Sequence, residues 1–452
     1  MAALVLFPII IIHLFTISRL VFFPYPELFI YPYLTNIGMV PYGQILDQHF
    51  PGLMFLPLNL GNLGMQSSEA AMILHMSIII VTHIMLFITA KKLLKSTNYA
   101  LVSNIFYLLW HPMLEGNVLW IDSFIPLMLL PALYFSYDYF TQKKSSSLSI
   151  AASLLGIAFV FKQVIAPLIA LMVLMLFILR VDRRKIITFT LLASLPMIAV
   201  LVYIANIGVL SDFLYWTVEF NVTVFAEMGR KFATLKELAL LFAILLPALL
   251  FIIWRGVKDK RAILATIFII GTLMFAYARF DFVHLQPVLV MCAIGASLYV
   301  STLSKRVKNI LVMGYILVML IPISTRLQQN QGNTVRFFGE FESDLVKAVR
   351  VYASEGDSIF TMGTTPHIYY LTRTYPAGHV FVFQFPWFMR IAEERILQGI
   401  KNDTPVVVVR DNHSTTGGVN LMEYMPDIDE YISENYFVVD TVGETDILIP
   451  ND

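Results

Sequence analysis

Apolar runs of membrane-spanning length recur along this chain from residue 3 to about Ile323, and they restrict its fold more than any other feature. Hydrocarbon offers no water to backbone N–H and C=O groups, so a spanning segment must be a helix or part of a closed barrel. Runs of roughly 17–25 apolar residues have helical length and are too long for a barrel strand. They fall at 3–21, 70–90, 98–112, 120–139, 148–161, 164–180, 186–209, 237–254, 262–279, 284–302 and 308–324. The sequence therefore predicts an α-helical polytopic membrane protein with about eleven transmembrane helices. Runs 148–161 and 164–180 are short, and read either as a re-entrant pair or as two tight spans. Composition agrees with this class. The chain is 58% hydrophobic and 14% charged, whereas a soluble domain carries roughly 25% charged residues.

Other classes drop out quickly. A net charge of +0 leaves no electrostatic footprint for nucleic acid. The single cysteine, Cys292, can make no intrachain disulfide and has no CxxC companion, which argues against a structural zinc site. Residues 1–20 lack a basic n-region and a small-x-small cleavage site, so they read as a retained first span.

Charge sets the expected orientation. Basic clusters fall at Lys91, Lys92 and Lys95; at Lys143 and Lys144; at Arg180, Arg183, Arg184 and Lys185; at Arg255, Lys258, Lys260 and Arg261; and at Lys305, Arg306 and Lys308. With the spans counted in order, every cluster lies on one side, and the positive-inside rule makes that side the cytoplasm. This predicts a multi-pass protein of the plasma or inner membrane with a cytoplasmic N-terminus. An odd number of spans places the C-terminal part outside.

The opposite side carries the long loops. Loop 22–69 is rich in proline and far too long for a simple turn, which is usually a sign of function. Its prolines argue against long regular helices before Leu53, and a short interfacial helix is expected from Phe55 to Met65. Loop 210–236 offers Tyr215, Trp216, Phe220, Phe225 and Phe232, residues suited to the headgroup level. Two domains are expected: 1–325, the membrane-embedded part with its long first loop, and 326–452, a small extracytoplasmic soluble α/β domain. In the second, FGEFESDLVKAVRVYASEG reads as a helix ended by Gly356, and FMRIAEERILQGI as another. DSIFTMG, TPVVVVRD, YFVVDTV and TDILIP read as strands of a mainly parallel or mixed sheet. It has no GxGxxG or GxxxxGK[ST], so a nucleotide site has no support.

The polar residues of the outer side are candidates for chemistry. Met39–Gly52, MVPYGQILDQHFPG, carries Asp47 and His49. An acid beside lipid is costly and is a functional candidate by default. Asp47 reads either as a solvated loop acid or as a general base that takes a proton from an attacking hydroxyl. His49 would orient it or stand beside a metal. WHPMLEGNVLWID gives His111, read as structural, with Glu115 and Asp122, which would cap the next span or bind acceptor hydroxyls. GIAFVFKQVIAP gives Lys162 and Gln163, and AYARFDFVHLQP gives Arg279, Asp281, His284 and Gln286. Lys162 and Arg279 either snorkel to headgroups or hold an anionic ligand at the outer leaflet. Asp281 is placed to pair with Arg279. His284 reads first as a structural histidine.

The first span, the long loop with YGQILDQHFPG, the FKQ after the fifth run and ARFDFVHLQP together resemble the GT-C glycosyltransferases. Within them the resemblance is to the protein O-mannosyltransferase and lipid A aminoarabinose transferase group. It covers the whole chain in architecture and three short motifs in sequence. It implies transfer of a sugar from a polyprenyl phosphate to a protein, lipid or glycan acceptor at the outer face, in cell-envelope or protein glycosylation. It implies Asp47 as catalytic base, Lys162 and Arg279 on the donor phosphate, and His284 and Gln286 lining the same cavity. Such enzymes usually show an Asp-Glu pair in the first loop, whereas Gln48 follows Asp47 here. The second carboxylate then comes from elsewhere, Glu115 or Asp122, or is not needed. No cofactor is certain, and a divalent metal stays open. The rival expectations are a surface-polysaccharide polymerase or ligase, and a polytopic transporter. A transporter would place charges at mid-span, where this sequence has few.

The orientation has a direct check. In a Cys292→Ala background, an impermeant maleimide applied to intact cells should label Asn62→Cys and spare Lys144→Cys. The reverse pattern would overturn it.

Overall fold

The computed structural model describes residues 2–330, 334–416 and 418–451. A helix occupies each of the eleven apolar runs, with the run at 262–279 divided between Lys260–Leu273 and Phe275–Ala278. Among the described residues, six helical spans are long and apolar enough to cross a membrane: Ser68–Leu94, Arg183–Asn206, Leu235–Arg255, Lys260–Tyr277, Phe282–Ser301 and Lys305–Gln329. The protein is mostly helical, with a sheet region near its C-terminus.

The chain forms two compact units, each assembled from three stretches of sequence. The first comprises residues 1–23, 71–202 and 231–333 and holds most of the apolar helices. The second comprises residues 24–70, 203–230 and 334–452, that is, the first loop, the aromatic loop and the C-terminal part.

In the first unit, four polar side chains buried among the helices bond to one another in a string. Asn104 Nδ2 donates to Ala100 O at 2.9 Å, which leaves Asn104 Oδ1 to accept from His83 Nδ1 at 2.8 Å. His83 Nε2 then accepts from His13 Nδ1 at 2.8 Å, and His13 Nε2 from His111 Nδ1 at 3.1 Å. One amide orientation therefore fixes the tautomer of three buried histidines. These bonds link helices Ala2–Ser18, Ser68–Leu94 and Thr97–Trp110, together with the 3₁₀ turn at His111–Met113. Elsewhere helices meet almost at backbone contact. A Cβ on Gly156 would lie 2.4 Å from Ala193 O, so helix Ser145–Phe161 approaches helix Arg183–Asn206 only because a glycine stands there.

In the second unit, Ser358–Met362 lies beside the central strand of a mixed sheet. It pairs in parallel with Tyr375–Pro376 on one side and with Val407–Asp411 on the other. Thr445–Pro450 then adds antiparallel to Val407–Asp411, and Tyr436–Val442 closes the order as a hairpin. Helices Glu340–Tyr352 and Pro386–Asn402 fall where their apolar periodicity places them. A second ladder joins distant sequence. Ile45–Leu46 of the first loop pairs in parallel with Phe381–Val382. The aromatic loop packs on the helix that follows, with Phe220 stacked on Phe388 at 5.1 Å and Trp216 at 5.9 Å from the same ring.

Two local expectations need correction. The interfacial helix at Phe55–Met65 does not form, and turns and bends occupy the stretch. Pro57 cannot donate to a helix ladder, and side-chain amides take the backbone's place. Asn62 Nδ2 donates to Pro57 O at 2.7 Å, Asn59 Nδ2 donates to Asn36 Oδ1 at 2.8 Å, and Gly64 turns the chain at φ 93°. Conversely, a ten-residue helix, Glu27–Asn36, forms in the proline-rich part with Pro32 inside it. Its two faces are both buried from Glu27 to Leu34, so packing outweighs the bond that proline removes.

Close helix contact predicts a contrast between two glycines. Gly156→Ala should lower the thermal midpoint in detergent, by an overpacking cost of about 1–3 kcal/mol. Gly314→Ala, inside a helix where a Cβ meets nothing within 4 Å, should hold it or raise it slightly.

Candidate active site

Asp47 follows directly on the short strand Ile45–Leu46 and is 2% exposed. Its carboxylate takes three donors. Tyr31 Oη donates to Oδ2 at 2.5 Å, while the His49 backbone N–H and His49 Nδ1 reach Oδ1 at 2.7 and 2.8 Å. The bond from the residue two positions on is an Asx turn, which bends the chain locally without help from elsewhere. Tyr42 donates its hydroxyl to His49 O at 2.9 Å and stands at φ 63°, an uncommon backbone for a bulky residue. Asn221 Nδ2 donates to Gln48 O at 3.1 Å. The Tyr31 ring packs against Phe55 at 4.7 Å and Phe383 at 5.5 Å. A carboxylate offers about four acceptor positions, so three donors leave room for one more hydroxyl. Burial and two carboxylates push the Tyr31 phenol well above its usual range, so it stays protonated as a donor.

The first unit gathers a second set of groups. Asp122 lies in the first turn of helix Ile121–Gln142, but its oxygens do not cap that helix. Lys162 Nζ reaches Oδ1 and Oδ2 of Asp122 at 2.7 and 2.6 Å, and His284 Nδ1 stands 3.0 Å from Oδ2 and 3.1 Å from the ammonium. Lys162 sits at the junction of helix Ser145–Phe161 with the 3₁₀ turn that starts at Gln163, and its Nζ lies 5.2 Å from the Phe275 ring centre. Its positive charge is therefore largely offset inside the protein. Gln286 donates to Glu115 O at 3.0 Å and to Val118 O at 3.2 Å, and accepts from Ser123 Oγ at 2.8 Å. Glu115 Oε2 accepts from the Val283 backbone N–H at 3.0 Å, and burial holds this carboxyl above the ordinary range.

Asp281 bridges two cations, with Arg279 Nε at 2.9 Å and Lys231 Nζ at 2.8 Å. Glu115, Lys231, Asp281 and Arg326 line a cavity of about 580 Å³ whose other wall is apolar, formed in part by Leu240 and Ile321. Glu237 also faces the cavity, so three carboxylates and two cations meet there. Among the described residues, no three His, Cys, Asp or Glu side chains gather to hold a metal ion.

Sequence reasoning passes over Tyr31, Lys231 and Arg326 here, and counts Glu27 among the outer acids without giving it a role. Tyr31 and Glu27 lie one helical turn apart on a helix that the prolines argued against. Lys231 ends a loop noticed only for its aromatics, and Arg326 falls at the end of the last apolar run. The one available signal was the spacing of Glu27 and Tyr31, four residues apart.

Known proteins share this architecture. Residues 53–208 match the family model described as dolichyl-phosphate-mannose-protein mannosyltransferase. No curated protein matches the chain in sequence. The crystal structure of ArnT from Cupriavidus metallidurans in the apo state superposes with TM-score 0.67 at 12% identity, covering 99% of this chain and 97% of that one. The same protein bound to undecaprenyl phosphate gives 0.63 at 13% identity, with the same coverage. The fold is the GT-C fold. The archaeal oligosaccharyltransferase AglB from Archaeoglobus fulgidus, in complex with an inhibitory peptide and a dolichol-phosphate, shares it at TM-score 0.55 and 11% identity, over 99% of this chain and 74% of that one.

The Asp122–Lys162 pair makes a stability prediction. Lys162→Met alone strands a buried carboxylate and should cost about 3–5 kcal/mol. Lys162→Met combined with Asp122→Leu should recover most of that loss. Chemical denaturation of the three proteins in detergent measures the difference.

Proposed function

We propose that this GT-C protein is a glycosyltransferase that moves a sugar from a polyprenyl-phosphate donor to an acceptor hydroxyl at the outer face of the membrane. The observation that carries the proposal is the shared fold, over 99% of the chain, with a protein whose structure holds undecaprenyl phosphate. The membrane-embedded helices supply a solvent for the prenyl chain, here as an eleven-span bundle with its N-terminus in the cytoplasm. The second unit would stand outside.

In this proposal Asp47 is the general base. Its carboxylate takes the proton of the acceptor O–H as the oxygen bonds to the anomeric carbon. The bond from that carbon to the phosphate oxygen breaks, and its electron pair leaves with the polyprenyl phosphate. Three donors hold the carboxylate still, so it does not have to be oriented during the step. Departure of the phosphate is easier where fixed cations offset its charge. Lys231 and Arg326 of the cavity, with Arg279 paired to the cavity's Asp281, are the groups proposed for that task, and the apolar wall of the cavity suits the first prenyl units. Lys162, engaged on Asp122, has the proposed role of keeping Asp122, and through it His284, in place.

Transfer should be measured on purified protein in lipid nanodiscs against a panel of polyprenyl-phosphate sugars, reading released polyprenyl phosphate. Asp47→Asn should lower turnover by about 10²–10⁴-fold while the thermal midpoint is kept. Turnover at the wild-type level in that variant would remove Asp47 as the base.

A further inference from the structure

Glu27 opens the helix Glu27–Asn36 and is 8% exposed. Its Oε2 has no hydrogen-bond partner. A buried acceptor left unmatched costs about 1–3 kcal/mol, and a carboxylate so placed would cost more. Tyr31 follows Glu27 by four residues on the same helix, so both project from one face a single turn apart. The Tyr31 hydroxyl is the group that donates to Asp47 Oδ2. One stripe of one helix thus carries both the support of Asp47 and a second carboxyl. The charged and titratable groups felt there are Asp47 and His49 of the strand loop, with the Tyr31 phenol between them.

Resting on the proposed role of Asp47, we propose that Glu27 is the second working carboxyl of the Asp47 centre, and that its charge sets how strong a base Asp47 is. Neutral Glu27 adds no second negative charge beside Asp47. Ionised Glu27 adds a like charge near the buried Asp47 carboxylate, where little water screens it. Glu27 is a positioning residue in this scheme, acting through Asp47 and not on substrate. Burial first, and the neighbouring Asp47 in a smaller part, raise its carboxyl to about 7, against which its own backbone N–H and then the His49 ring work in the other direction. Its charge therefore changes across neutral pH, and the transfer rate is expected to climb through that window as Glu27 ionises.

Infrared titration of the full-length protein in nanodiscs tests this without a substrate. Wild type minus Glu27→Gln isolates one protonated-carboxyl band. The band should fade with a midpoint near 7, and the midpoint should move down when Asp47→Asn removes the like charge. Glu27→Asp, which keeps a carboxyl, should retain a titrating band if Glu27→Gln folds poorly. In the transfer assay, Glu27→Gln should lose the climb through neutral pH and stay at the low-pH rate. A midpoint near the ordinary 4.5, a midpoint indifferent to Asp47→Asn, or an unchanged pH profile in Glu27→Gln would overturn the proposal. An Asp47→Asn protein that still transfers sugar would instead remove the base assignment, whatever the infrared band does.

Discussion

Buried polar groups govern this molecule because apolar surroundings give them no water to fall back on. The backbone obeys first, and each long apolar run is coiled into a helix that bonds to itself. The side chains obey next. Asp122 is fully buried and bonds Lys162 with both oxygens, and Asp138 near a helix end takes Lys92 and Ser147. Where every partner is in place, such groups fix register and orientation between elements. Where one is missing, as at Glu27, the exception marks a place to look for function.

That division also explains what could be read from the sequence. Helix positions were legible because hydrophobic length is a local property, and the strands at Ser358–Met362 and Val407–Asp411 were legible because their apolar runs are short and sharply bounded. The stretch from Phe55 to Met65 was misjudged because its fate rests on amide-to-amide bonds. Asn36 and Asn59 lie 23 residues apart and leave no periodic trace. The helix at Glu27–Asn36 was undervalued for the opposite reason, since proline content is local and burial is not.

Partnership was less legible than position. Asp122 and Lys162 were both noticed as outer-side residues, but a bond between side chains 40 residues apart leaves no mark in either segment. Lys162 accordingly looked like a cation in need of an anionic ligand, while the fold supplies the anion itself. Arg279 and Asp281 were easier, being two residues apart and paired as their spacing suggests. Asp47 stood out by its surroundings, yet the tyrosine that holds it sits sixteen residues upstream in a segment with no motif of its own.

The histidines of the first unit carry one more consequence. From His111 through His13 and His83 to Asn104 and the carbonyl of Ala100, every hydrogen points the same way. The bonds polarise one another in sequence, as peptide units do along a helix, so the string has a sense of direction and its members strengthen together. It also has no spare acceptor between its rings. A proton added to His13 or His83 would set two N–H groups face to face unless the next ring moved its own hydrogen to its other nitrogen. The seam between the first helix and its neighbours is thus closed by an arrangement in which one ring cannot reverse its hydrogen unless the next ring reverses too.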